Sequence, residues 1–249
     1  MHIHLPKPLH GWREFLGEVG IIVIGVLIAL GFEEVASNLR NAASRQEATD
    51  SVFAELRQNV SYLKGRMATQ YCVERRLDEI GDLLAKAGTG RVSPQPKWIG
   101  QPSVWFASDE AWVAATGSGR ASLFSPDQQL QLSAIYVTTN RFVDAENREQ
   151  EAWAQLRGLE GWTSPLGGAG RVHFATALQS ARYELWETRI TMEEALRRAK
   201  AAGVGDLNAK TMAGAGFAIP HAICLPIDTP RDKALQILSK DSPPWGQPK

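Results

Sequence analysis

Residues 19–32 read VGIIVIGVLIALGF, fourteen residues without a charge, and no other run in the chain resembles them. As a helix they rise about 21 Å, short of the roughly 30 Å hydrocarbon core of a bilayer. Extended over residues 15–36, the helix spans about 33 Å and fits. Trp12 and Phe15 stand at one end, where interfacial aromatics belong, and Glu33 and Glu34 mark a water boundary at the other. The stretch therefore reads as a single transmembrane helix with membrane lipid as its first partner. The rival reading is a cleaved signal peptide. Ala29-Leu30-Gly31 is a tolerable cleavage site, and Lys7 and Arg13 supply a basic leader. No cysteine follows the run for lipid attachment. A retained anchor is the expectation.

Glu18 at the membrane edge reads as a solvated helix end. A sharper reading gives it a polar contact with a partner helix. Gly25 and Ala29 form a small-xxx-small pair, with Gly17 and Gly20 nearby, and such spacing lets helices approach closely. Gly17, Glu18, Gly25 and Ala29 are thus the candidate packing face toward another membrane-protein subunit or a second copy. Orientation by positive charge is a tie: Lys7 and Arg13 precede the span, and Arg40 and Arg45 follow within twenty residues. The basic, histidine-bearing tail against Glu33-Glu34 tips the reading. Residues 1–14 are expected to be a cytoplasmic tail, with the main domain periplasmic, in a bacterial inner membrane.

The 249 residues leave room after the anchor for one substantial domain. Lys plus Arg and Asp plus Glu number 27 each, a balance that argues against nucleic acid as a partner. Cys72 and Cys224 are too few for a disulfide scaffold and wrongly spaced for zinc. If the domain is exported, they form one candidate bridge, tying the first long helix to the C-terminal tail.

Past the anchor the chain reads as helices. Residues 37–87 form a long helix or stalk. Its apolar residues Phe53, Leu56, Val60, Leu63, Met67 and Tyr71 alternate three and four apart, then resume at Leu77, Ile80 and Leu84, the seam of a bundle face. Residues 88–202 supply the rest of an antiparallel bundle. Prolines and glycines make residues 88–103 a loop. Ser108-Asp109-Glu110 starts a short helix carrying Trp112. Ser125 caps a long helix with Pro126 at its first position, and its inner stripe is Leu132, Ile135, Thr139, Phe142, Trp153 and Leu156. That spacing also places Glu146 and Glu149 on the seam. The stripe is expected to slide onto Ala145 and Ala152; the alternative is that the acids meet buried arginines. The last long helix buries Phe174, Leu178, Ala181, Leu185, Met192, Leu196 and Ala199, with Trp186 and Ile190 widening it to a second packed face. Residues 203–249 read as an extended tail with a short helix at about residues 231–239. The fold class is all-α.

Chemistry-bearing motifs are thin. His2 and His4 form a lone His-x-His in a tail, read as no metal site. Gly214-Ala215-Gly216 lacks the lysine and helix of a phosphate loop. His221 and Cys224 lack a third group, so a structural cysteine is preferred to a nucleophile. Asn59-Val60-Ser61 matches a glycosylation acceptor but falls within a helix. Glu146 and Glu149 are the one carboxylate pair that offers acid–base chemistry, without a supporting motif. No cofactor and no catalytic residue is expected.

The stretches GEVGIIVIGVLIALGFEE and EAWVAATGSGRASLFSPDQQLQLSAIY resemble an uncharacterised group of bacterial single-pass membrane proteins. In that group a Gly-Glu pair precedes an Ile/Val/Gly/Leu anchor, and a Trp-containing helix, a Ser-Gly turn and a capped helix ending in Tyr follow. Here these features are Trp112, Ser118-Gly119, Pro126 to Gln129 and Tyr136. The resemblance implies a membrane-anchored helical domain and no catalytic residues. The expected function is a non-enzymatic accessory or scaffold subunit of a membrane complex. A periplasmic ligand-binding or sensing bundle is the alternative, and a hydrolase-type enzyme using Glu146 and Glu149 comes third.

Overall fold

The computed structural model describes residues 12–104, 106–205 and 222–241. The fold is all-α. Helix α1 runs Trp12–Ala68, α2 Gln70–Ala87, α3 Glu110–Gly117, α4 Pro126–Leu156, α5 Gly167–Ala201 and α6 Arg231–Asp241. The chain divides into two units, Met1–Thr49 and Asp50–Lys249.

In the first unit, α1 is long and apolar enough to cross a membrane. Its most apolar eighteen-residue window has a mean hydropathy of 2.5, and none of that window is buried. Successive residues turn by about 100°, so Ile21, Ile22, Ile24, Leu27, Ile28 and Leu30, all more than half exposed, point to every side. The helix is apolar all round, unlike the one-sided stripe of a water-soluble surface helix.

In the second unit the core lies among α1, α2, α4 and α5. The α4–α5 pair is antiparallel: Phe142 clusters with Met192 and Ala195, while Trp153 and Leu156 share a cluster with Phe174, Ala177 and Leu178. Contacts of α1 with α4 advance together, Glu55 with Tyr136 and Arg66 with Glu149, so these two run parallel. Salt bridges Glu74–Arg189 and Asp78–Arg182 run α2 antiparallel to α5.

Helix α4 begins where its sequence dictates. The Ser125 hydroxyl accepts from the Gln128 backbone, and the Gln128 side chain returns a bond to the Ser125 backbone, closing a capping box with Pro126 at the first turn. Just past the end of α5 and its cap Ala202 stands Gly203, whose φ of 76° suits glycine. There Gly203 N–H donates to Lys200 O and Val204 N–H to Ala199 O.

The expected continuous seam through residues 53–84 is interrupted. At Thr69 the backbone makes i→i+3 bonds, Thr69 N–H to Arg66 O and Cys72 N–H to Thr69 O. Such bonds overwind the helix and rotate its faces. Met67 and Tyr71, placed on the seam by spacing, are exposed, while Val52, Leu56, Val60 and Leu63 before the joint and Val73, Leu77, Ile80 and Leu84 after it are buried. Trp186 and Ile190 are exposed too: no described element covers the second face expected of α5. Within the C-terminal stretch expected to be extended, α6 forms as anticipated. Residues 222–224 make a 3₁₀ turn, and residues 206–221 lie outside the described residues.

Candidate functional site

Among the described residues, two apolar clusters lie in the second unit. One gathers Val73, Leu77, Ile80, Trp153, Leu156 and their neighbours; the other holds Leu63, Phe142, Met192 and Ala195. Arg66 and Glu149, three and seven positions past Leu63 and Phe142, form a buried polar pair. The Arg66 side chain donates from Nη2 to both Glu149 oxygens at 2.8 Å, and neither side chain is exposed at all. Glu146 is buried one turn away on α4. Glu184 of α5 is held at 3.1 Å by Arg148, whose own side chain is half exposed. Glu184 lies close enough to Glu149 to act on its charge.

Burial pushes the Glu149 carboxyl above its ordinary range; Arg66 pulls it back, and Glu184 adds to the rise. Several polar atoms here are sealed from solvent without a hydrogen-bond partner: Arg66 Nε and Nη1, Trp153 Nε1 and Glu184 Oε2. Trp153 Nε1 favours the Glu149 charge, yet its geometry falls short of a hydrogen bond. The preference for a slide onto Ala145 and Ala152 needs correction. Both alanines are buried, but Glu146 and Glu149 are buried with them, and an arginine answers Glu149. With both oxygens held by one guanidinium and no exposed surface, Glu149 presents no face to a substrate.

A second polar constellation seats α3. Glu55 accepts from Tyr136 Oη at 2.7 Å, Ser108 Oγ at 2.9 Å and Ala111 N–H at 3.0 Å. Its charge thereby meets the positive end of the short helix. Asn59 donates to Ser108 O and accepts from Ser108 N–H. Its amide is thus occupied and buried, which removes Asn59-Val60-Ser61 as a glycosylation acceptor. Trp112 stacks on Tyr136 with ring centroids 5.7 Å apart. Burial, then the Glu55 hydrogen bond, raise the Tyr136 hydroxyl far above its usual value.

Cys72 and Cys224 are bridged, their Cα atoms 4.9 Å apart across 152 positions. The bridge joins α2 to the 3₁₀ turn, as the sequence suggested, and leaves Cys224 no thiol for nucleophilic work. Around it Arg75 donates to Cys224 O at 2.9 Å. Buried Arg76 donates to Trp98 O, Ile99 O and Leu225 O and pairs with Glu79. Lys97 and Trp98 N–H both donate to Ile227 O at 3.0 Å. Two arginine and two backbone hydrogen bonds therefore hold residues 222–227 against α2 and the loop after it.

The four candidate packing residues lie on the exposed part of α1. Glu18, Gly25 and Ala29 fall within about 40° of arc on an ideal helix, with Gly17 about 100° from Glu18. Nothing described lies within 4 Å of a Cβ built on Gly17, Gly20 or Gly25. His2, His4, Gly214, Gly216 and His221 lie outside the described residues; among those described, no group of three or more His, Cys, Asp or Glu is placed to hold a metal ion. Sequence reasoning missed Glu55 and Arg66. Arg66 was discoverable, since the register Leu56–Asn59–Leu63 leads to it. No protein-family model, curated protein or solved structure matches this chain.

Proposed function

We propose that the protein is a membrane-anchored, non-enzymatic accessory or scaffold subunit of a bacterial membrane complex, with residues 15–36 of α1 embedded in the inner membrane and Asp50–Lys249 in the periplasm. The observation that carries this reading is the uncovered apolar helix. Fully burying one Val, Leu, Ile or Phe side chain is worth about 1.5–3 kcal/mol, so leaving Ile21, Ile22, Ile24, Leu27, Ile28 and Leu30 in water costs on the order of 10 kcal/mol. A bilayer removes that cost.

The Cys72–Cys224 bridge supports the periplasmic side, because structural disulfides persist in oxidising compartments. The resemblance to single-pass bacterial proteins agrees. Glu18, Gly25 and Ala29, open on one side, offer a partner helix a close approach. The occupied Glu149 oxygens favour a structural over an acid–base role for that pair.

Fractionation of cells expressing the full chain is the direct test. Retention in the membrane pellet through an alkaline carbonate wash, with the two cysteines resistant to alkylation until reduced, is the expected result. Recovery in the soluble fraction overturns the anchor. Extraction in mild detergent as a solitary monomer, with no co-purifying membrane protein, overturns the accessory-subunit reading.

A further inference from the structure

Between α1 and the end of α5 runs a groove of about 600 Å³. We propose that it binds a single-tailed anionic amphiphile, a carboxylate head on an aliphatic chain. Its floor is Val60, Met67, Leu196 and Val204. Met67 follows Leu56, Val60 and Leu63 at seam spacing, yet among the described residues it stays 39% exposed. A flexible thioether left uncovered at the mouth of an apolar groove is suited to an adaptable tail.

The rim supplies the charge. Lys64, Arg197 and Lys200 line it with one carboxylate, Glu193, and with the adjacent Arg198 and Glu194 four cations stand against two carboxylates. Glu194 just outside is engaged by Arg197 and Arg198 at 2.6 Å. The end of a helix ordinarily repels anions, but here the carbonyls of Arg198, Ala199 and Lys200 accept from Ala202, Val204 and Gly203 N–H, which blunts that repulsion. A volume near 600 Å³ with a largely apolar lining suits a small ligand. A protein partner needs about 800 Å² of surface on each side, more than nine lining residues provide. The inference is independent of the anchor and the accessory role.

The test uses the full chain in nanodiscs with ¹³C-methyl methionine, reading Met67 by NMR with buried Met192 as reference. This reports occupancy at the groove and not uptake by the bilayer. Decanoate is expected to shift Met67 saturably, decyltrimethylammonium to leave it unmoved, and Lys200→Glu, a change on an exposed side chain, to weaken decanoate about tenfold. Leu196→Ser is expected to weaken it too while Met192 stays in place. Equal shifts from the anionic and cationic tails, an unchanged curve in Lys200→Glu, or a Met67 signal moved by an acidic helical peptide and not by decanoate would each overturn the proposal.

Discussion

Replacing Arg66 by Met keeps the aliphatic stem and deletes the guanidinium, leaving Glu149 with no cation in a site without solvent. Removing one partner of a buried pair costs about 3–5 kcal/mol, because the remaining charge is uncompensated. In a domain of some 200 residues each kcal/mol lowers Tm by about 2–4 °C, so the variant should melt on the order of 10 °C lower. The sign of the pH response follows from Glu149. Its folded value is raised above the ordinary 4.5 by burial, so in that window the folded chain holds more protons than the unfolded chain. Its stabilising contribution is full below about 4.5 and is lost as pH rises through the folded value. The charged groups acting on it are Arg66 and Glu184, the latter paired with Arg148; deleting Arg66 lifts the folded value further and steepens the loss. The double variant Arg66→Met, Glu149→Leu, which replaces the pair by apolar side chains, should recover to within about 1 kcal/mol of the parent or exceed it. Near-UV circular dichroism of the full chain in mild detergent, followed against temperature at several pH values, reads all three. A single variant that costs less than about 1 kcal/mol, or a double variant that melts with the single one, refutes the reasoning.

Reduction, or Cys72→Ser, opens a loop of 152 positions; chain entropy puts the cost at about 5 kcal/mol, and a shortfall below about 1 kcal/mol in urea unfolding would show that the surrounding contacts hold residues 222–227 unaided. Mass spectrometry without reductant should find the peptides of Cys72 and Cys224 linked, and free thiols at both positions would contradict the bridge. Tyr136 should stay protonated until alkaline unfolding, because its folded value is raised. Its contribution to stability is therefore lost as pH climbs past about 10, where the unfolded tyrosine ionises. Ultraviolet titration should lose one tyrosinate step at the unfolding edge in Tyr136→Phe, and an unchanged profile would count against the Glu55 contact. Ser125→Ala removes half of the capping box and should cost about 1 kcal/mol, with no loss indicating that Pro126 alone sets the start of α4.

What could be read from the sequence was what has a period or a local cause. The apolar run at residues 19–32 needs no tertiary knowledge. Neither does the Ser125-Pro126 start of α4, whose cap is made within four residues. The stripes of α4 and α5 followed from 3.6-residue spacing, and every α4 residue assigned to the stripe is buried. Failures came where the decisive partner is distant. Nothing local shows that Glu149 meets Arg66, 83 positions away, so sliding onto small residues was the cheaper guess. The Thr69 joint carries no proline or glycine to announce it. Its turn is made by a threonine hydroxyl bonding to Arg66 O at 2.8 Å, a device that an unbroken seam conceals, and past it Tyr71 falls outside the buried face. Trp186 and Ile190 were assigned to a second packed face because large apolar residues usually pack; within the described residues, no neighbour is there to receive them.

The placement of the Arg66–Glu149 pair explains why a fold built from ordinary apolar stripes tolerates buried charge. A seam of Val, Leu and Ile repeating every three or four residues fits nearly as well after slipping by one turn, about 5.4 Å. Slipped by that amount, Arg66 loses both bonds to Glu149; in one direction it meets Glu146, one turn away, and leaves Glu149 uncompensated, and in the other both charges are stranded. Arg66 also precedes Thr69, the point at which α1 gives way to α2 and the buried face changes. Fixing Arg66 against α4 thus fixes the level of the joint. That level in turn sets where α2 lies along α5, the register that Glu74–Arg189 and Asp78–Arg182 share. Apolar burial supplies the attraction, and the ionic pair selects one alignment among several that apolar burial alone would accept.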